Sequence, residues 1–241
     1  MRAEASDRSE MVSQMLFGET CTITDENEKW FKVRTHADDY TGWIDKKQLQ
    51  LTTQSNDQNR STLTIDIDHT YTAHTQLGTV NLFCGSKIGY IENAFYIGDE
   101  HVTIPNLSAT ITLLDKESML QKALSYLNTP YLWGGRTSAG IDCSGYVQLL
   151  YKLMGIALPR DASQQVAVGN TIDLENTQSG DLAFFKNIEG RVVHVGLMLD
   201  NTRIIHASGR VRIDMLDNSG IYNIETQTHS HTLHSIKRII V

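Results

Sequence analysis

The chain has 241 residues, 40% of them hydrophobic and 20% charged, with a formal net charge of −7 at pH 7. This is the composition of an ordinary soluble globular protein, long enough for a real core as one large domain or two to three small ones. The negative balance argues against nucleic acid as the main partner, since phosphate binding needs a basic surface, and no apolar run approaches the roughly 20 residues of a membrane span.

The opening "MRAEASDRSEMVSQ" is polar and has no signal-peptide core. The compartment stays open: cytoplasmic if the chain is native-length, periplasmic or secreted if a signal peptide has been removed. Residues 16 to 49 alternate as short strands, "LFGETCTITDE", "KWFKVRTH" and "DYTGWIDKKQL", divided by turns at Glu26-Asn27-Glu28 and Ala37-Asp38-Asp39. Such a pattern predicts a small antiparallel barrel. "TTQSNDQNRST" (52–62) reads as a linker, and "LTIDIDHTYT", "TVNLFCG", "KIGYIENAFYIG" and "HVTIPN" predict more strands over 63–112. From about residue 115 the periodicity becomes helical. "KESMLQKALSYLN" spaces Met119, Leu120, Ala123, Leu124 and Leu127 on a helix, with Pro130 soon after. A second helix carries Tyr146, Val147, Leu149, Leu150, Leu153 and Met154 and should stop near Gly155. The runs "LAFFK", "VVHVGLMLD", "RIIHASG", "VRIDML" and "SIKRIIV" then read as strands. Helices followed by antiparallel strands make this part α+β.

Cys21, Cys84 and Cys143 are widely spaced and odd in number, which describes neither a disulfide framework nor a paired-cysteine zinc site. Nothing in the sequence calls for a cofactor. Cys143 follows the glycine- and turn-rich "YLWGGRTSAGID" and begins the apolar helix, where unpaired N–H groups and the helix dipole favour thiolate over thiol. Gly134, Gly135 and Gly140 would let the chain approach a substrate closely. The plainer reading is a small buried thiol. His194 and His206 lie on two strands joined by a turn around Asp200-Asn201-Thr202. A three- or five-residue loop puts both rings on one face, roughly 5–8 Å apart at Cβ, whereas a two-residue loop separates them. A thiol needs an adjacent base and a third group to orient that base, and His194 and His206 supply both. Alone, the two histidines read rather as satisfied strand residues; together with Cys143 they favour catalysis. "THSHTLHS" brings His229, His231 and His234 close in sequence, but on a strand the third falls on the other face from the first two. No metal site is expected there.

These motifs, "YLWGG", "DCSGYV", "LPRDASQQ", "SGDLAFF", "HVGLML" and "IIHASG", occur in the order of the NlpC family of bacterial cell-wall cysteine peptidases, which the chain resembles from about 115 to 225. The resemblance implies a papain-like α+β domain over 114–241, with Cys143 as nucleophile, His194 as base and His206 as the third polar residue. "FGE…WFKVR…DDYTGWI" resembles a bacterial SH3-like domain, here 1–55, and 56–113 more weakly resembles a second one. The implied activity is hydrolysis of the bond between γ-D-Glu and a diamino acid, meso-diaminopimelate or lysine, in peptidoglycan stem peptides. Glu19 and Tyr40 match positions that recognise the free amine of a terminal L-Ala. The resemblance also carries substrate contacts over to Tyr131, Trp133, Asp142, Ser144, Arg160 and Asp161, while Ala162 replaces a serine of one related pattern.

Without the resemblance, Glu19 reads as a solvated strand-end charge, Tyr40 and Trp43 as barrel aromatics, and Arg160 and Asp161 as a surface ion pair. A thiol amidase or acyltransferase of the same fold class and a non-catalytic wall-binding protein are the rival readings. An amine-reading Glu19 and Tyr40 speak against the first, and the intact Cys143, His194 and His206 set speaks against the second.

Overall fold

The strand alternation before residue 113 and the helices and strands after it become two units, Met1–Leu113 and Leu114–Val241. The computed structural model describes residues 1–51, 61–66, 70–76, 78–91, 94–97, 100–105, 107 and 113–240. Of the linker expected over 52–62, residues 52–60 lie outside the described residues, as do 67–69, 92–93, 98–99 and 106 of the expected strands.

In the first unit, β1 (Cys21–Glu26), β2 (Trp30–Thr35) and β3 (Thr41–Asp45) form an antiparallel sheet in that order. The first turn closes because the Asn27 side chain accepts the backbone N–H groups of Lys29 and Trp30. The second holds Asp39 in the left-handed region at φ 55°. Phe31, Val33 and Ile44 turn one face inward against Met1, Met15, Cys21 and Leu49. The rest of the unit contributes β4 (Ser61–Thr64), β5 (Tyr71–Thr75), β6 (Gly78–Leu82), β7 (Lys87–Ile91), β8 (Ala94–Ile97) and β9 (Glu100–Val102). β4, β7, β8 and β9 form one sheet in that order, and β5 pairs with β6.

The second unit opens with α1 (Lys116–Ser125), started by Asp115, whose carboxylate accepts the Ser118 N–H. The short pair β10 (Arg136–Thr137) and β11 (Gly140–Ile141) leads into α2 (Cys143–Leu153). Nearly every residue of α2 is buried, as its all-round apolar sequence requires. It ends where Gly155 takes φ +77° and donates its N–H to Lys152 O. α3 (Ala162–Gln165) and β12 (Asn170–Ile172) follow. Then come β13 (Leu182–Lys186), β14 (Val192–Met198), β15 (Arg203–Ser208), β16 (Arg210–Asp217), β17 (Gly220–Asn223) and β18 (Thr228–Arg238). β12 and β17 do not stand out in the sequence, because strands of three and four residues are too short to show alternation.

The sheet order is β12-β18-β13-β14-β15-β16-β17, and β18 is long enough to pair a second time. Its Thr228–Thr232 end runs along β17 and its Thr232–Arg238 end along β13 and β12, which closes the sheet on itself. Ala183, Phe185, Met198, Ile204, Leu216, Ile221 and Ile236 pack together as the core of this barrel-like sheet. α2 packs on β14 and β15, whose alternate residues Val195, Leu197, Ile205 and Ala207 are also fully buried. These two strands are therefore covered on both faces.

Candidate active site

Cys143 is the first residue of α2, and the preceding Asp142 is its N-cap, accepting the Gly145 N–H at 2.7 Å. The other carboxylate oxygen of Asp142 accepts the Gly134 N–H at 2.9 Å. Gly134 sits at φ +75°, a conformation glycine takes without a Cβ penalty. Arg160, only 1% exposed, grips Asp142 through both terminal nitrogens, at 3.1 and 2.5 Å, and donates to the Ser144 hydroxyl at 2.8 Å. The loop before the thiol and the segment after α2 are thus tied together at the start of the helix. A bidentate, fully buried pair of this kind holds geometry; Arg160 is a buried residue here and not part of a surface ion pair. The backbone N–H groups of Val195 and Ser144 lie within hydrogen-bonding reach of the Cys143 sulfur, which sets the thiol against β14 next to His194.

Four residues, 199–202, lie between β14 and β15, and the Leu199 N–H bonds Arg203 O at 2.8 Å, so that 200–202 make the turn. Asp200 stabilises the turn by accepting the N–H groups of Thr202 and Arg203. Leu197 pairs with Ile205 and Met198 with Ile204. Carried along the strands, this register sets His194 and His206 diagonally on the face that also carries Met198 and Ile204 of the barrel core. The two rings meet with His194 Nε2 and His206 Nδ1 2.8 Å apart. Gly196 makes room for this, because a Cβ there would come within 2.8 Å of His206 Cβ.

Two further groups complete the cluster, and the sequence reading did not include them. Asp214 on β16 lies 3.1 Å from His206 Nε2, and Arg212 holds the same carboxylate through Nε at 2.8 Å. Strand alternation in "VRIDML" puts residues 212 and 214 on one face, and β15–β16 pairing puts Arg212 opposite His206. That was a readable signal once the pairing partner was known. His231 on β18 stacks on His194 with ring centres 4.3 Å apart and planes 25° apart, and Phe185 approaches His194 at 5.8 Å. The three histidines of "THSHTLHS" disperse: His229 pairs with Asp217, His234 bonds Ser235, and only His231 reaches the cluster. Tyr131, Val193, His194, Ala207, Ser208, Gly209 and His231 line a cavity of about 320 Å³ above these rings.

The electrostatics depart from the helix-start argument. Burial pushes the Cys143 thiol up to about 12, and the Asp142 charge adds to the rise. The N–H groups of Val195 and Ser144 and the Arg160 charge oppose it without overturning it. Burial also holds His194 well below the usual imidazole range, helped by His206 and His231. Both shifts favour the neutral thiol and the neutral imidazole over a thiolate–imidazolium pair in the unliganded site. The helix terminus favours thiolate, but walling off the sulfur beside a carboxylate costs more.

The remaining predicted residues are distributed as follows. Tyr131 is half-buried at the cavity, its hydroxyl pushed up by burial, with the Asp142 charge adding to the rise. Trp133 is 57% exposed. Asp161 stands just before α3, its N–H bonded to the Gln164 side chain. Glu19 and Tyr40 belong to the first unit. β1 begins two residues after Glu19, β3 begins one after Tyr40, and Cys21 pairs with Thr35 and Thr41 with Arg34. Both residues therefore stand at the same end of the three-stranded sheet. Glu19 accepts the Leu16 N–H at 2.9 Å.

A helix bearing a cysteine at its start, packed on an antiparallel sheet that carries a histidine pair, defines the class of papain-like cysteine peptidases. The chain belongs to the NlpC/P60 family, whose profile matches residues 128–230, and residues 1–49 match the bacterial dipeptidyl-peptidase Sh3 domain. It is 30% identical to dipeptidyl-peptidase 6 of Lysinibacillus sphaericus, over 89% of this chain and 88% of that protein. It is 29% identical to the gamma-D-glutamyl-L-lysine dipeptidyl-peptidase of Bacillus subtilis, over 81% of this chain and 71% of that one. A crystal structure of an NlpC/P60 family protein from Bacillus cereus superposes with a TM-score of 0.78 at 23% identity, over 94% of this chain and 81% of that one, and so shares its fold. The chain is a cysteine peptidase with an N-terminal SH3-like domain.

Proposed function

We propose that this peptidase hydrolyses the bond between γ-D-Glu and a diamino acid in peptidoglycan stem peptides, and that it prefers stems with a free N-terminal L-Ala. The observation that carries the reading is the buried His194–His206 pair, 2.8 Å apart, with His194 on the strand whose Val195 N–H reaches the Cys143 sulfur. The relatives named as dipeptidyl-peptidases support the substrate class.

In this reading the Cys143 thiol attacks the γ-carbonyl while His194 takes its proton. The sulfur–carbon bond forms, the C–N bond breaks, and the protonated His194 gives its proton to the leaving amine. Water, deprotonated by His194, then hydrolyses the thioester and regenerates the thiol. The backbone N–H of Cys143, with a neighbouring donor, stabilises the oxyanion. His206 orients His194. Asp142, Ser144 and Arg160 form the wall beside the nucleophile, and Tyr131, Trp133 and Asp161 contribute substrate contacts around it. Residues 1–55 and 56–113 act as two SH3-like domains ahead of the peptidase domain, 114–241, and Glu19 and Tyr40 of the first receive the α-ammonium of L-Ala.

Digestion of defined muropeptides, with products weighed by mass spectrometry, tests this. The expected products are L-Ala-D-Glu and the diamino acid or its C-terminal extension. Cleavage at another bond, or no cleavage of any free stem, contradicts it.

A further inference from the structure

We propose that Asp214 is a positioning residue for the base, one that fixes the tautomer of His206 and through it leaves the Nδ1 lone pair of His194 available to the thiol. The proposal rests on the nucleophile and base roles given to Cys143 and His194 above.

Asp214 is 1% exposed, and both of its oxygens are engaged. Oδ2 meets His206 Nε2 at 3.1 Å and forms an ion pair, without a hydrogen bond, with Arg212 Nε 2.8 Å away. Oδ1 accepts from Arg212 Nη2 at 3.0 Å and from the Ile224 N–H at 3.1 Å. A carboxylate offers about four lone-pair positions and, when ionised, only accepts. Burial alone pushes Asp214 up, but the hydrogen bonds from His206, Ile224 and Arg212 outweigh it and hold the group below the usual carboxylate range. His206 Nε2 must therefore carry a proton. In the neutral ring this leaves Nδ1 as an acceptor, and its one close partner in the cluster is His194 Nε2 at 2.8 Å. His194 Nε2 must then be the donor, and the lone pair of His194 lies on Nδ1. The opposite arrangement would place an N–H on the nitrogen that has to accept the thiol proton.

Arg212 has a part in this as well. The guanidinium balances the carboxylate, and Glu225 in turn meets Arg212 Nη1 at 3.0 Å. The charged and titratable groups around His206 are His194 on β14, Arg212 and Asp214 on β16 and His231 on β18.

The test is 15N NMR of the full chain labelled in its histidine rings, joined to kinetics on the free stem peptide. Two-bond couplings should show both His194 and His206 protonated on Nε2 in the unsubstituted protein. Asp214→Asn should lower kcat by about 10-fold with KM little changed, because a supporting hydrogen-bond partner is lost and no substrate contact is. It should also mix the His206 tautomers, and Asp214→Glu should restore part of kcat. His206 protonated on Nδ1 in the unsubstituted protein, or an unchanged kcat in Asp214→Asn, overturns the proposal. If Asp214→Asn does not fold, the tautomer of the unsubstituted protein decides. The failure of the catalytic reading is distinguishable, since the free stem peptide would then go uncut by the unsubstituted protein, or Cys143→Ala would keep turnover, whatever the tautomers are.

Discussion

At the mouth of the C-terminal barrel, His194, His206 and Asp214 are at most 6% exposed, and each is bonded to the next. At the end of the N-terminal sheet, Glu19 and Tyr40 are half-buried, and Glu19 accepts the N–H of Leu16 within its own turn. The first arrangement is complete within one unit. Buried polar groups in low dielectric must be paired, and their pairing fixes orientation before any substrate arrives. The second keeps part of its polar surface toward water, as groups that gain their role only when a ligand is desolvated against them should. In the proposed function the barrel mouth carries the chemistry and the sheet end the selectivity, and each can be disturbed separately.

The largest effect belongs to the barrel mouth. Cys143→Ala and His194→Ala should each lower kcat by about 10⁴-fold or more, because nucleophile and base act as one unit. Circular dichroism and thermal melting should show the fold intact. At the sheet end, acetylating the L-Ala amine should lower kcat/KM by up to about 10⁴-fold, since a site built for a particular polar group rejects an analogue lacking it. Stems still joined to muramic acid should be cut as poorly. Glu19→Ala should weaken cleavage of the free peptide and narrow the preference. Comparable rates on free and glycan-linked stems would remove the sheet end from the account without touching the barrel mouth.

His206→Ala should be milder, about 100-fold in kcat, and His206→Asn or His206→Gln milder still. A greater loss for His206→Ala than for His194→Ala would exchange the two roles.

The next effect concerns pH. With His194 held well below the ordinary imidazole range and Cys143 raised to about 12, the proposed mechanism starts from thiol plus neutral imidazole. The profile of kcat/KM should therefore have its acid limb below the usual imidazole pKa and no alkaline limb near pH 8 to 9, the region of ordinary thiol titration. A fall through that region would mean a resting thiolate–imidazolium pair.

The smallest effect is on stability. Burial, helped by neighbouring His206, lowers His231 to about 4, so its folded pKa lies below the unfolded value of about 6.5. The unfolded chain then binds more protons between these values, and stability should fall as pH falls from about 6.5 to 4. Differential scanning calorimetry of His231→Gln should show a shallower fall. An identical slope would mean that the stacked ring does not carry this penalty.

Most of the site could be read from the sequence because its parts are local. Asp142 and the apolar run after it mark a helix start, and the glycine-rich approach marks a tight loop. Two histidines on strands sharing a short turn can face the same way by period alone. The rest depends on pairing across strands distant in sequence. His231 meets His194 only because β18 is long enough to pair with both β13 and β17, and bulges in both pairings shift the register that simple alternation assumes. Asp214 reads as one more strand charge until β15 and β16 are placed side by side. Arg160 reads as a surface charge because a carboxylate 18 residues earlier in the chain holds it. The raised thiol has the same origin: helix position is local, whereas the wall that buries the sulfur comes from β14.

The central claim is that the Cys143 thiol becomes acylated by the γ-carbonyl of D-Glu. Rapid quenching in acid during turnover of L-Ala-γ-D-Glu-diamino-acid peptide, followed by proteolysis and mass spectrometry, reads this directly. The account predicts an L-Ala-γ-D-glutamyl thioester on the peptide containing Cys143, absent from Cys143→Ala and from the peptides of Cys21 and Cys84. Product formation with no adduct on Cys143, together with turnover by Cys143→Ala, would contradict it.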